Sequence, residues 1–472
     1  MSDNNAPEKA KQQGGIYDAR TLGIPKMFLL GIQHMFAMFG ATVLVPILVT
    51  GYFTEATGEA PTKGLTVAVT LFCAGVGTLM FHLCSKFKVP AFLGSSFAFL
   101  GGFSTVANLN SGAYATMAVN DKIAYACGGI VVAGLLYLVL AAIIRLVGVK
   151  KVMRFLPPVV TGPIIICIGL SLAGSAINNA STNWILALVA LATIIVFNIW
   201  GKGMFKIIPI LMGVVVSYVV AIIWNEVDPE AGILSFTAVQ EAAFVGLPQF
   251  QLPKFDATSI LVMAPIAIAS MMEHIGDMSA ISATVEKNFI EDPGLHRTLM
   301  GDGLATAFAG LVGGPANTTY GENTGVLELS KVYDPRVIRI AAGLAIILSF
   351  IPKFSALIST MPAAIVGGIS FMLYGMISAI GVRNIVENKV DLTKSRNLII
   401  AGVIFVCGLG FTGGITFTIG GTSITLTALA IAAIAGILLN AILPGNDYEF
   451  GKNPEGDRSR GVYVSSKDEE YY

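Results

Sequence analysis

The chain has 472 residues, of which 54% are hydrophobic and 12% charged, with a mean hydropathy of +0.75 and no net charge. A soluble domain carries roughly 25% charged residues. This composition therefore excludes a water-soluble enzyme or a nucleic-acid-binding domain, and implies an all-α polytopic membrane protein.

A polar tail, residues 1–26, precedes the first apolar span and lacks the features of a secretory leader. Ten clear spans follow, each read against the roughly 20 residues that cross a bilayer. They are Met27–Thr50, Gly64–Cys84, Ile123–Leu146, Val159–Ile177, Trp184–Trp200, Ile207–Trp224, Ser259–Val285, Ile338–Ile351, Leu398–Phe411 and Ile424–Leu443. Weaker, broken spans occupy Ala91–Val106, Leu295–Val312, Ala316–Leu329 and Ala356–Ile380, which brings the expected total to about fourteen. The five Cys lie in or at the ends of apolar spans without metal-ligand spacing, so neither a metal nor another cofactor is expected.

Fourteen spans with both termini in the cytoplasm place 25 of the 29 Lys and Arg on the inner side and 4 on the outer side. A wrong span count would invert the alternation and blur that split. The expected location is a bacterial-type plasma membrane.

The two halves echo each other three times in the same order. Gln33–Met38 matches Glu273–Met278, Pro90–Phe97 matches Pro315–Tyr320, and Leu156-Pro157 with Gly162 matches Met361-Pro362 with Gly367. Seven spans per half give the halves opposite orientation, the inverted-repeat plan of many transporters, whose substrate site lies near the midplane. The division expected is residues 27–225 for the first repeat, 226–257 for an outer loop, 258–443 for the second repeat and 444–472 for a cytoplasmic tail that is polar and mobile.

Irregular polar sequence inside a bilayer survives only where protein buries it or where it lines a wet cavity. Gly313–Gly325, reading GGPANTTYGENTG, is such a stretch, and Pro90–Val106 is its counterpart. Broken helices free backbone amides, so Ser95, Ser96, Phe97, Tyr320 and Gly321 are candidates to meet carbonyl oxygens, with Phe97 and Tyr320 offering ring faces to a flat heterocycle. Glu273 and Glu322 are intramembrane carboxylates able to accept ring N–H groups or to hold a proton. Asp277 sits one turn after Glu273 on the same face, and two such carboxylates need a proton, a cation or a donor between them. His34 falls opposite Glu273 in the repeat; His274 reads equally as a packing residue. Asp302 and Glu328 read as structural, and His82 and His296 lie at cytoplasmic ends.

Gln33–Pro46, Gly94–Phe99, Asp292–Arg297 and Pro315–Asn323 together resemble the nucleobase–ascorbate transporter family, over about Leu22–Leu443. Glu322-Asn323-Thr324-Gly325, then Ser330-Lys331, is similar to the family signature, with Ser330 where Thr is usual. The leading Glu is that of the uracil branch; purine carriers have Gln. The resemblance implies core and gate domains, and short strands in the third and tenth spans. It implies base binding by Glu273 and Glu322, amides from Phe97 and Gly321, and pocket walls from Ser96 and Tyr320, with Asn323 and Gly325 in support. It further implies a proton-coupled uracil symporter working by alternating access, often as a homodimer. Proton coupling falls to Glu273, Asp277 and His34. Asp277 stands where His is common, which leaves the coupling ion, H+ or Na+, open. A xanthine or urate carrier of the same family is the first alternative, and an anion exchanger on a related inverted repeat is the second. No nucleophile–base pair or phosphate loop supports an enzyme.

Overall fold

The computed structural model describes residues 15–419 and 422–446, and Tyr448. Most of the two terminal tails expected at 1–26 and 444–472 lies outside these residues.

Fourteen membrane segments run in chain order: α1 (Ile24–Thr57), α2 (Val67–Cys84), β1 (Leu93–Ser95) leading into α3 (Leu100–Ala107), α4 (Val119–Val147), α5 (Pro158–Ser181), α6 (Trp184–Trp200) and α7 (Pro209–Val227). The second half repeats the order with α8 (Ala257–Val285), α9 (Leu295–Val312), β2 (Asn317–Thr319) leading into α10 (Gly321–Ser330), α11 (Pro335–Ser349), α12 (Ala363–Glu387), α13 (Ser395–Gly410) and α14 (Ala428–Ile442). Seven of these helices are long and apolar enough to cross a membrane alone, and α11 joins them if it is counted with Pro352–Ser359, bent from it by 87°.

Local chemistry sets the helix starts. Thr66, Asn183, Asp256, Asp334 and Thr427 each accept a first-turn amide with the side chain. Pro158, Pro209 and Pro335 occupy first positions, where a missing N–H costs nothing.

The helices sort into two groups. α1, α2, α4, α9 and α11 pack on one another, while α5, α6, α7, α12, α13 and α14 form the other body. This is the core-and-gate division that the family resemblance implied. α4 and α9 cross so closely that a Cβ on Gly134 would meet the Ala307 amide nitrogen and the Gly303 carbonyl. Small residues at such crossings let backbones approach without a hydrophobic drive.

The third and tenth segments hold the expected strands. β1 and β2 pair antiparallel, Leu93 opposite Thr319, Gly94 opposite Thr318 and Ser95 opposite Asn317. Most span ends lie within a few residues of the sequence reading, the first helix runs on to Thr57 where Thr50 was expected, and two later starts differ for a clear reason. The span expected at Ala356–Ile380 is broken: one helix ends at Ser359, and the next starts at Ala363 with Pro362, which has no N–H to continue a helix, as its N-cap. The last span, expected from Ile424, starts at Ala428, and Thr422–Leu426 is instead a strand paired with Ile415–Ile419. Alternating Thr and Ile favour a pleated surface over a helix, where two branches on Cβ crowd the preceding turn.

Candidate functional site

The strand crossing is fixed from every side. Thr78 on α2 donates to the Leu93 carbonyl at 3.2 Å and accepts the Leu93 amide at 2.9 Å. Thr306 on α9 donates to the Asn317 carbonyl at 3.0 Å, and the Asn317 amide group reaches Cys73 O at 3.1 Å. Ser95 Oγ donates to Thr42 O on α1 at 3.0 Å. Buried backbone in a bilayer needs every such partner.

The ladder also decides which amides remain for a ligand. Ser96 N donates to Ala316 O at 2.8 Å and Tyr320 N to Phe92 O at 3.0 Å, so these two expected donors serve the strands. Phe97 opens the 3-10 turn Phe97–Phe99 and Gly321 opens α10. First-turn amides have no intrahelical partner, and both point the positive end of a helix at the crossing.

Tyr320 is used more structurally than its sequence position suggested. Its hydroxyl donates to Ser95 O at 2.9 Å and lies 3.2 Å from Ser95 Oγ, and its buried ring covers Gly94. Ser96 Oγ faces Ser270 Oγ at 3.4 Å. Phe97 is buried and meets Tyr374 of α12 edge to face, 5.9 Å between centroids.

The acidic residues lie on α8 and α10, which pack together. Thr319 Oγ1, at the end of β2, donates to Asp277 Oδ2 at 2.9 Å, and Asp277 is 5% exposed. Glu273, one turn away and half-buried, has an Oε2 that no group of the protein contacts by hydrogen bond among the described residues. His34 is held by the side-chain amide of Asn323, 3.2 Å from Nδ1 and 3.1 Å from the His34 carbonyl, so the two repeats meet at this pair. His274 turns away from the carboxylates and lies 2.9 Å from Asp302 on α9, both fully buried. That contact gives His274 and Asp302 one shared structural role.

Two cavities flank the start of α10. One, of about 230 Å3, is lined by Asp277, Gly321, Thr324 and Gly325 of the core and by Thr161, Arg383 and Asn384 of the gate. The other, of about 410 Å3, is lined by Gly321, Glu322 and Gly325 with Phe36 and Met376. They share Gly321, Gly325, Ile380 and Arg383. Gly321 and Glu322 therefore border open space, whereas Ser96, Phe97 and Tyr320 are buried and line neither cavity. Arg383 and Asn384 were missed. They end a span and read as loop residues, and only the fold turns them toward α8.

Residues 25–417 match the sequence profile of a permease family. Uracil permeases of Bacillus caldolyticus and Bacillus subtilis (strain 168) are each 40% identical to the chain. The first aligns over 91% of the chain and 94% of the relative, the second over 88% and 91%. A putative pyrimidine permease, RutG of Escherichia coli (strain K12), is 36% identical over 92% of both chains. Among solved structures, the transmembrane domain of the cyanobacterial bicarbonate transporter BicA superposes with a TM-score of 0.55 at 18% identity, covering 82% of this chain and 96% of that one. Murine Slc26a9, an anion transporter in the inward-facing state, superposes with a TM-score of 0.59 at 11% identity, covering 94% and 76%. At such identities the likeness is one of fold.

Proposed function

The chain belongs to the nucleobase–ascorbate transporter family, and on that premise we propose that this multi-pass membrane permease imports uracil together with a proton by alternating access. The observation that carries the proposal is the pairing of donors and acceptors at the start of α10. Gly321 offers a first-turn amide to a carbonyl oxygen, and Glu322 beside it offers a carboxylate to a ring N–H. Uracil presents that alternation of C=O and N–H along one edge. Glu273, with its unpartnered Oε2, takes the second N–H when the core and gate close.

The uracil specificity named for the relatives supports the substrate, as does Glu322 at the signature position. Both cavities reach Arg383, on the face that the Lys and Arg distribution assigns to the cytoplasm. Phe97 against Tyr374 closes the opposite route. In this reading the structure is the inward-open member of the cycle, and the outward-open member separates Phe97 from Tyr374. Thr319 and Asp277 form the proton-handling pair, because a hydroxyl donor stabilises the charged carboxylate that must form when the proton leaves.

Uptake of labelled uracil into proteoliposomes, with and without an imposed pH gradient, tests the proposal. Gradient-driven accumulation supports it, and uptake indifferent to the gradient removes the proton. A competition panel of uracil, xanthine and urate separates the purine alternative. Chloride- or bicarbonate-driven exchange would favour the anion-exchanger alternative, which two acidic groups beside the cavity oppose.

A further inference from the structure

The segment just before α1 makes contacts that the transport reading does not use. Ile16 bridges Val332 in parallel register, with Ile16 N donating to Lys331 O at 2.7 Å and Tyr333 N donating to Ile16 O at 2.8 Å. Ala19 N donates to Asp334 Oδ2 at 2.7 Å. Ala19 also joins Val332 and Val337 in a small apolar cluster separate from the main core. One residue earlier than Asp18, the Tyr17 hydroxyl donates to Val285 O at 2.8 Å, and its ring packs on Tyr333 at 5.4 Å between centroids. Lys287 Nζ sits 4.1 Å from the same ring.

The partners of this strap are two helix ends. Val285 is the last residue of α8, which carries Glu273 and Asp277. Lys331 caps α10, which carries Glu322. Both helices stop on a left-handed residue, Glu286 and Lys331, each at φ 57°. Carbonyls in a last turn have no intrahelical partner, so an outside donor there fixes where the helix ends. The strap supplies that donor to α8 through Tyr17, and through Ile16 it binds the residues just after α10.

We propose that Tyr17 is a positioning residue: by tying the C-terminal end of α8 to the chain that leaves α10, it sets the separation of the two helices that carry the carboxylates. The proposal rests on the reading of Glu273 and Glu322 as the base site, with Asp277 beside them as the proton-coupling residue. A shift of an ångström at the site is enough to lose a bidentate fit. The strap acts far from the base and touches no transported molecule.

The test uses the full chain in lipid nanodiscs as wild type, Tyr17→Phe and Ile16→Pro. Tyr17→Phe keeps the ring contacts and removes one donor; Ile16→Pro removes the donor to Lys331 and leaves Tyr17 in place, which covers the case of a poorly folding first variant. Hydrogen exchange is followed without substrate, and uracil binding is measured by calorimetry. In both variants, exchange should rise together at the last turns of α8 and α10, with α4 and α12 unchanged. The Kd for uracil should rise about fivefold, the effect of one ordinary hydrogen bond. Exchange that rises only beside the substituted residue, or a Kd equal to that of wild type, overturns the positioning role. If wild type binds no uracil yet both helix ends still loosen together, the tie between helices stands and the uracil reading falls.

Discussion

Thr319 and Asp277 join the strand crossing to the acidic helix: the hydroxyl at the end of β2 donates to the carboxylate of α8 at 2.9 Å, in a buried setting. Thr319→Val keeps the shape and removes the donor. A buried acceptor left without its donor costs more than an ordinary hydrogen bond contributes. Uracil affinity should fall by about tenfold in Thr319→Val and recover in Thr319→Ser, measured by calorimetry in detergent. Equal affinity in all three proteins would show that the Thr319–Asp277 bond does not shape the base site.

Glu322 borders the larger cavity at the first turn of α10. Glu322→Gln preserves volume and one carbonyl oxygen but loses the charge. Hydrogen bonds to an ionised acceptor are about twice as strong as neutral ones. Uracil binding should weaken by about 30-fold or more, while the thermal midpoint stays close to wild type. A Kd within twofold of wild type would remove Glu322 from the base.

Much of this was legible in the sequence, and the reason differs from element to element. The strands at Leu93–Ser95 and Asn317–Thr319 were expected from two polar, Gly/Pro-interrupted stretches in a family resemblance, because a bilayer tolerates such backbone only when it is paired. The acidic residues stood out for the same reason. What the sequence concealed was how the donors divide. Nothing in Ser96 or Tyr320 tells that their amides close the ladder, since hydrogen-bond partners 200 residues away are set by register. Arg383 and Asn384 were hidden by their place at a span end, and the strand Thr422–Leu426 by running straight into the apolar last span.

Gly94 shows how tightly the crossing is built. A Cβ there would strike the ring of Tyr320, and that ring is held by its hydroxyl on Ser95. The clash cannot be relieved by swinging the ring without giving up a buried hydrogen bond. Gly94→Ala should destabilise the protein by about 1–3 kcal/mol, read as a lower thermal midpoint in detergent. A midpoint unchanged from wild type would mean that the crossing is looser than its contacts indicate.

The pH dependence of transport should not come from the strap. The Arg20 guanidinium beside Asp18 holds its carboxyl down at about 2, below the ordinary value. A depressed carboxylate contributes its stabilisation above the unfolded value, about 3.9, and loses it only as pH falls through the folded one. Between pH 5 and 8 the Asp18 contacts with Arg20 and Arg336 are therefore constant. Asp18→Asn should leave the pH midpoint of uracil uptake where it is in wild type. A shifted midpoint would assign part of the pH dependence to the strap.

In the proposed cycle, Asp277 is the residue at which coupling and binding can be told apart. It lines the smaller cavity opposite Arg383 and Asn384 of the gate, and it already holds the Thr319 hydroxyl, so a base and a proton compete for what remains of its carboxylate. Asp277→Asn cannot give up a proton, yet its amide oxygen can still accept from Thr319. The variant should lose accumulation driven by a pH gradient, by roughly a hundredfold if one charge-assisted interaction drives the step. Exchange of labelled for unlabelled uracil across the membrane should persist, because exchange needs the carrier to turn but not to discharge. Gradient-driven accumulation at the wild-type level would place the proton on Glu273 or His34 instead, and loss of both activities would make Asp277 a base-binding residue.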